Sequence, residues 1–206
     1  LNLERFELSQ NYIAFWDKYE KVNFFYEAMI DLSDRDLDDR TICFLTQGGI
    51  CDGGQWDMLV NVIEKYGVVP KDAMPETCQS SMTGAMNGLI NTQMRRNAVI
   101  LRNAVRDGKD PQPLKEKMME ETYRLLCIGF SVPPTTFDFE VTDKDDKYIC
   151  DRGLTPKQFY DKYIGINWDD YVSVINSPTE DKPFNATYTV PYLNNVVGGR
   201  PVLYLN

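Results

Sequence analysis

After Ser9 the large apolar side chains Tyr12, Phe15, Tyr19, Val22, Tyr26 and Met29 recur at spacings of three and four. A helix of 3.6 residues per turn gathers such positions on one side. Serine is a favoured cap for the first turn, so the pattern predicts one long amphipathic helix whose apolar face must be buried. The helix is expected to end at Leu32-Ser33-Asp34. The acidic, basic-dotted run to Arg40 then reads as a solvated loop, and a short apolar segment follows from Ile42 to Leu45. A second helical pattern, Trp56, Leu59, Val60 and Ile63, stops at Gly67. Pro70 and Pro75 impose extended chain between Val68 and Glu76, because the residue before a proline is pushed out of the helical region. Two further helices are expected at about Thr83 to Asp107 and about Gln112 to Phe130. The short Gly108-Lys109-Asp110-Pro111 link between them makes them antiparallel neighbours.

Beyond Pro133-Pro134, Phe137, Phe139 and Val141 alternate with polar residues. After Asp143-Lys144-Asp145-Asp146 a second short run reaches Cys150, which reads as a β-hairpin. Thr155-Pro156 is a cap followed by a first-position proline, opening a helix to Tyr163. Strands are expected at Tyr171 to Ile175, Thr187 to Val190 and Val202 to Leu205.

Hydrophobic content of 43% with 12% aromatic residues supplies a core and speaks against disorder. No apolar run approaches the ~20 residues a membrane-spanning helix needs. A net charge of -9 disfavours nucleic acid and anionic lipid as partners, since both need basic surface. The five cysteines are odd in number and lack zinc-ligand spacing, which fits reduced thiols and no metal. The chain has no histidine. That removes the usual general base and the usual partner of a Ser or Cys nucleophile, so no triad can be assembled from it. With no initiator Met and an end inside a strand-like run, it reads as a segment of a longer polypeptide.

The most distinctive local feature is Gln47-Gly48-Gly49-Ile50-Cys51-Asp52-Gly53-Gly54, which opens into the Trp56 helix. A phosphate cradle is disfavoured, because no G-K-[ST] or G-x-G-x-x-G is present and Asp52 would repel an anion. Glycines also let another backbone approach closely, so a peptide-binding edge and a plain tight turn both remain open. The acidic pairs Asp38/Asp39, Asp145/Asp146 and Asp169/Asp170 read as solvated loops. Arg95, Arg96, Arg102 and Arg106 read as the outer face of a helix, with Glu116, Glu120 and Glu121 on the next helix for pairing.

Whole phrases then resemble one family. Phe6-Glu7-Leu8-Ser9-Gln10-Asn11-Tyr12, Phe15-Trp16-Asp17-Lys18-Tyr19-Glu20, Asp52-Gly53-Gly54-Gln55-Trp56-Asp57-Met58-Leu59-Val60 and Glu64-Lys65-Tyr66-Gly67-Val68-Val69-Pro70-Lys71 are similar to aminopeptidase C and bleomycin hydrolase. Pro133-Pro134-Thr135-Thr136-Phe137, Thr155-Pro156, Tyr188-Thr189-Val190-Pro191-Tyr192-Leu193 and Val197-Gly198-Gly199 continue the match in the same order. The resemblance implies an α+β papain-like fold and a cytosolic cysteine aminopeptidase without a cofactor. In that family the nucleophilic Cys and an oxyanion-hole Gln lie upstream of the F-E-L-S-Q segment, and the His and Asn far downstream. No catalytic residue is therefore expected within Leu1 to Asn206. Gly53 and Gly54 match the pair that lines the peptide-substrate cleft, and Cys51 is expected to be a free thiol. Residues 1–80 would form the helical and cleft-wall segment, 81–132 a helical-hairpin insertion for homohexamer assembly, and 133–206 the hairpin, short helix and strands returning to the core. A stand-alone assembly or peptide-binding module is the rival reading.

Overall fold

The structure, a computed structural model, describes residues 2–177 and 179–206. Helix α1 (Gln10–Asp31) starts where its cap predicts: the Ser9 side chain accepts from the Tyr12 N–H at 3.0 Å. Ser9 also donates to the Met74 carbonyl at 2.5 Å, which ties the helix entry to the extended proline-containing traverse. Phe15, Val22, Tyr26 and Met29 are fully buried. They pack against α5 (Gly84–Arg106) and α6 (Gln112–Phe130), which contribute Ile90, Met94, Leu101, Leu126 and Phe130 to the same cluster. Each such side chain is worth about 1.5–3 kcal/mol on burial. The two helices expected as an assembly element thus share their core with α1, and the Asn97 amide donates to the Tyr26 hydroxyl at 2.8 Å inside it.

Of the arginines of α5, Arg95, Arg96 and Arg106 are exposed as expected, and Arg102 departs from expectation. Arg102 is buried and donates to the Leu32 carbonyl at 2.7 Å. Arg106 reaches Ser33 at 2.8 Å, and Arg95 reaches Thr46 at 3.0 Å. They satisfy carbonyls left bare past the end of α1 and near the end of the next helix, which is what helix C-termini need. Among the described residues none pairs with Glu116, Glu120 or Glu121.

That next helix, α2 (Arg40–Gly48), takes in the apolar segment and the first two residues of the glycine-rich run, Gln47 and Gly48. Asp39 caps it, accepting from Thr41 at 2.8 Å and Ile42 at 3.3 Å, so this acid is structural rather than simply solvated. Helix α3 (Trp56–Tyr66) follows, then a turn of 3-10 helix at Lys71–Ala73 and the short α4 (Cys78–Ser81).

A second cluster joins α3 to the β-hairpin and α7 (Pro156–Tyr163) through Val60, Ile63, Phe139, Phe159 and Trp168. Strands β1 (Phe137–Thr142) and β2 (Tyr148–Leu154) pair antiparallel, with a register shift between Phe137 and Phe139. The later strands are shorter than their patterns suggest. Thr187 to Val190 contracts to β3 (Thr187–Tyr188), Val202 to Leu205 to β4 (Tyr204–Leu205), and Tyr171 to Ile175 to a single parallel bridge between Val174 and Leu205. The returning chain is held by side chains instead. Asn61 accepts from the Arg200 N–H at 2.7 Å, and Asn195 donates to the Met58 carbonyl at 2.8 Å and to Asp17 at 2.9 Å. Among the described residues no helix is long and apolar enough to cross a membrane.

Candidate functional site

The loop between α2 and α3 is fixed from both sides. Gly49 leaves α2 at φ +58°, and a Cβ there would lie 2.4 Å from Asn91 Oδ1, so both conformation and space require glycine. Asn91 uses that closeness: its amide accepts from the Ile50 N–H at 2.7 Å and donates to the Ile50 carbonyl at 3.1 Å, as a neighbouring strand would.

Two lysines of α1 hold the next residues. Lys18, 1% exposed, pairs with Asp52 and donates to Asn87 Oδ1 at 2.9 Å. Lys21 pairs with Asp17 at 2.6 Å and donates to the Cys51 carbonyl at 3.0 Å and the Gly53 carbonyl at 2.7 Å. Asp52 also accepts from Thr83 at 2.5 Å and Asn87 at 3.3 Å. Partial burial pushes the Asp52 pKa up, but the hydrogen bonds from Lys18, Thr83 and Asn87 outweigh it and bring it down to about 2. Asp52, singled out in the sequence for the anions it would repel, is the loop's anchor. The signal for it lies in Lys18, which falls three residues after Phe15 and four before Val22, on the apolar stripe of α1.

Gly53 and Gly54 differ from Gly49. Neither has positive φ, and an added Cβ would come no closer than 4.0 Å to Cys51 Sγ at Gly53 or 3.8 Å to Met58 Sδ at Gly54. Nothing inside the described chain demands glycine at either position. Both border an open cleft of about 630 Å³, lined also by Ile13, Asp17, Trp56 and Leu59. The structure therefore brings the two sequence-selected residues together on one wall, with the space a side chain would take facing outward. Cys51 is exposed beside them, and all five cysteines are unpaired.

The other candidates lie elsewhere. Asp145 and Asp146 sit in the tip of the β-hairpin, where Asp143 accepts from the Asp145 and Lys147 N–H groups. Asp169 accepts from Arg200 at 2.5 Å. Among the described residues no cluster of three or more Cys, Asp or Glu side chains could hold a metal ion.

A long buried helix carrying the anchors of a Gly-Gly loop, with a short helix, hairpin and strands returning beside it, defines a papain-like fold. The crystal structure of PepW from Lactobacillus rhamnosis HN001 matches it with a TM-score of 0.97 at 51% identity, covering 100% of this chain and 47% of that one. The chain belongs to the peptidase C1-like family, whose model matches residues 1–206. It is 52% identical over 206 residues to an aminopeptidase C of Listeria innocua, covering 100% of this chain and 47% of that relative. It is 42% identical over 213 residues to human bleomycin hydrolase, with the same coverage of 100% and 47%. The chain thus spans about half the length of the relatives it matches.

Proposed function

We propose that this chain is the central part of a cytosolic cysteine aminopeptidase that releases N-terminal residues from peptides by thiolate attack. It supplies a cleft wall and no reacting group; the Cys, His and Asn belong to other parts of the longer polypeptide. One observation carries the reading: Gly53 and Gly54 border the cleft and are glycine for no reason internal to the chain. An approaching peptide backbone gives that reason, since main-chain pairing needs the wall free of side chains. Free thiols at all five cysteines support a reducing compartment.

Gly54→Val in the full-length polypeptide tests the site. A β-branched group there removes about two main-chain hydrogen bonds at ~0.5–1.5 kcal/mol each, which lowers kcat/KM by roughly 5- to 150-fold. Thermal stability should move by about 1 kcal/mol or less, because Gly54 lacks positive φ and the added Cβ meets Met58 at ordinary contact distance. A folded variant with unchanged kcat/KM toward peptides would remove this loop from the cleft.

Assembly into a homohexamer through the α5–α6 pair is part of the same proposal. Leu89 and Ile100, half-exposed on α5 and three turns apart on one side of it, support the reading. Deleting the pair would strip α1 of its core partners, so the test is a double substitution, Leu89→Glu with Ile100→Glu. The full-length variant should sediment as a smaller particle with a nearly unchanged melting temperature. A particle of unaltered size would rule this face out.

A further inference from the structure

We propose that Lys21 is a positioning residue of this cleft, selecting which polar edge of the Gly53–Gly54 peptide unit faces an incoming peptide. The proposal rests on the reading of Gly53 and Gly54 as cleft wall. Lys21 is ion-paired with Asp17 Oδ2 at 2.6 Å and donates hydrogen bonds to the Cys51 carbonyl at 3.0 Å and the Gly53 carbonyl at 2.7 Å. Its side chain is 9% exposed and does not line the cleft, so it acts from behind the loop. The bond to the Gly53 carbonyl at 2.7 Å turns that oxygen inward, toward α1. A trans peptide unit is planar, with C=O and N–H pointing in opposite directions. The peptide joining Gly53 to Gly54 is trans, so the Gly54 N–H points away from Lys21, and among the described residues it meets no acceptor.

Glycine is the residue least able to fix this orientation by itself, since without Cβ it visits most of backbone space. Two consecutive glycines leave the connecting peptide plane free to turn over, and a turned plane would present a carbonyl where a donor is needed. Lys18 cannot do this work, because its partners are the side chains of Asp52 and Asn87. The two lysines therefore divide the loop: Lys18 holds its position and Lys21 sets its backbone orientation.

The test compares Lys21→Met, Lys21→Arg and Gly54→Val in the full-length polypeptide, with trialanine as substrate. Lys21→Met keeps the stem and loses the donors. KM should rise about 10- to 100-fold while kcat changes less than about 3-fold, the signature of lost binding rather than lost folded protein. Lys21→Arg retains donors and should recover most of the rise in KM. If Lys21→Met leaves KM unchanged while Gly54→Val raises it, Lys21 has no positioning role and the cleft assignment stands. If neither substitution raises KM, the cleft assignment falls and this proposal with it. Should Lys21→Met fail to fold, Lys21→Gln decides: its shorter, uncharged amide cannot span Asp17 and the two carbonyls, so KM should rise about 3-fold or more, and an unchanged KM overturns the proposal.

Discussion

Replacing Gly67 by alanine should destabilise the chain by roughly 3–5 kcal/mol, through two independent costs. Gly67 closes α3 at φ +74° and ψ -159°, a region essentially reserved for glycine, where an L side chain costs about 1–3 kcal/mol. The new Cβ would also lie 2.4 Å from the carbonyl carbon and oxygen of Pro156 and 2.6 Å from the Lys157 nitrogen. These are backbone atoms that no rotamer change can move. Relief requires α7 to retreat from α3, which loses the Val68 N–H bond to the Pro156 carbonyl at 3.3 Å and loosens Phe159 in the second cluster. For a domain of this size each kcal/mol is about 2–4 °C, so thermal unfolding should shift by roughly 6–20 °C. Gly88→Ala is the control: Gly88 lies within α5 with open space around it, and should gain about 0.5–1 kcal/mol. A Gly67→Ala variant melting within a degree or two of the parent would contradict the close approach of α3 and α7.

Asp52→Ala should cost about 2–4 kcal/mol, because it leaves the ammonium of Lys18 buried with Asn87 as its remaining partner. The exposed side of Asp52 lets water reach the vacated position, which keeps the cost below that of a wholly enclosed pair. Adding Lys18→Met should restore part of the loss, since an apolar chain of similar length suits the surroundings of Phe130 better than an unpaired charge. The pair also predicts an acid dependence. The folded-state pKa of Asp52, about 2, lies below its ordinary value of 3.8, so the stabilisation is complete above about pH 4 and is lost as pH falls toward 2. Asp52→Asn should lack that part of the acid loss. Urea midpoints between pH 2 and 5 check both statements, and a double variant no more stable than Asp52→Ala would argue against a buried Lys18 charge.

The helices were legible where a cap and a period agreed. Ser9, Thr155-Pro156 and Gly67 mark ends that the structure keeps, and α6 runs from Gln112 to Phe130 as its pattern implies. Helix α2 was not legible, because it buries Ile42 and little else fully, and four adjacent apolar residues carry no period. Its last turn, Thr46-Gln47-Gly48, looks like loop in any local reading. The C-terminal strands shrank because docking through Asn61, Asn195 and Arg200 replaces much of their ladder pairing, and side-chain bonds of such long range leave no periodic trace. Gly53 and Gly54, which border the open cleft, stand out in the sequence through the family phrase that contains them. Their supports do not, since Lys18, Lys21, Asn87 and Asn91 come from helices whose polar residues would ordinarily face water.

Thr83, Asn87 and Asn91 stand one turn apart at the start of α5, and each bonds to the stretch between Ile50 and Asp52. The loop therefore cannot open by itself. Releasing it breaks the side-chain contacts that organise the first two turns of α5, so loop and helix start constitute one cooperative unit, with a single opening free energy shared by amides some forty residues apart in the chain.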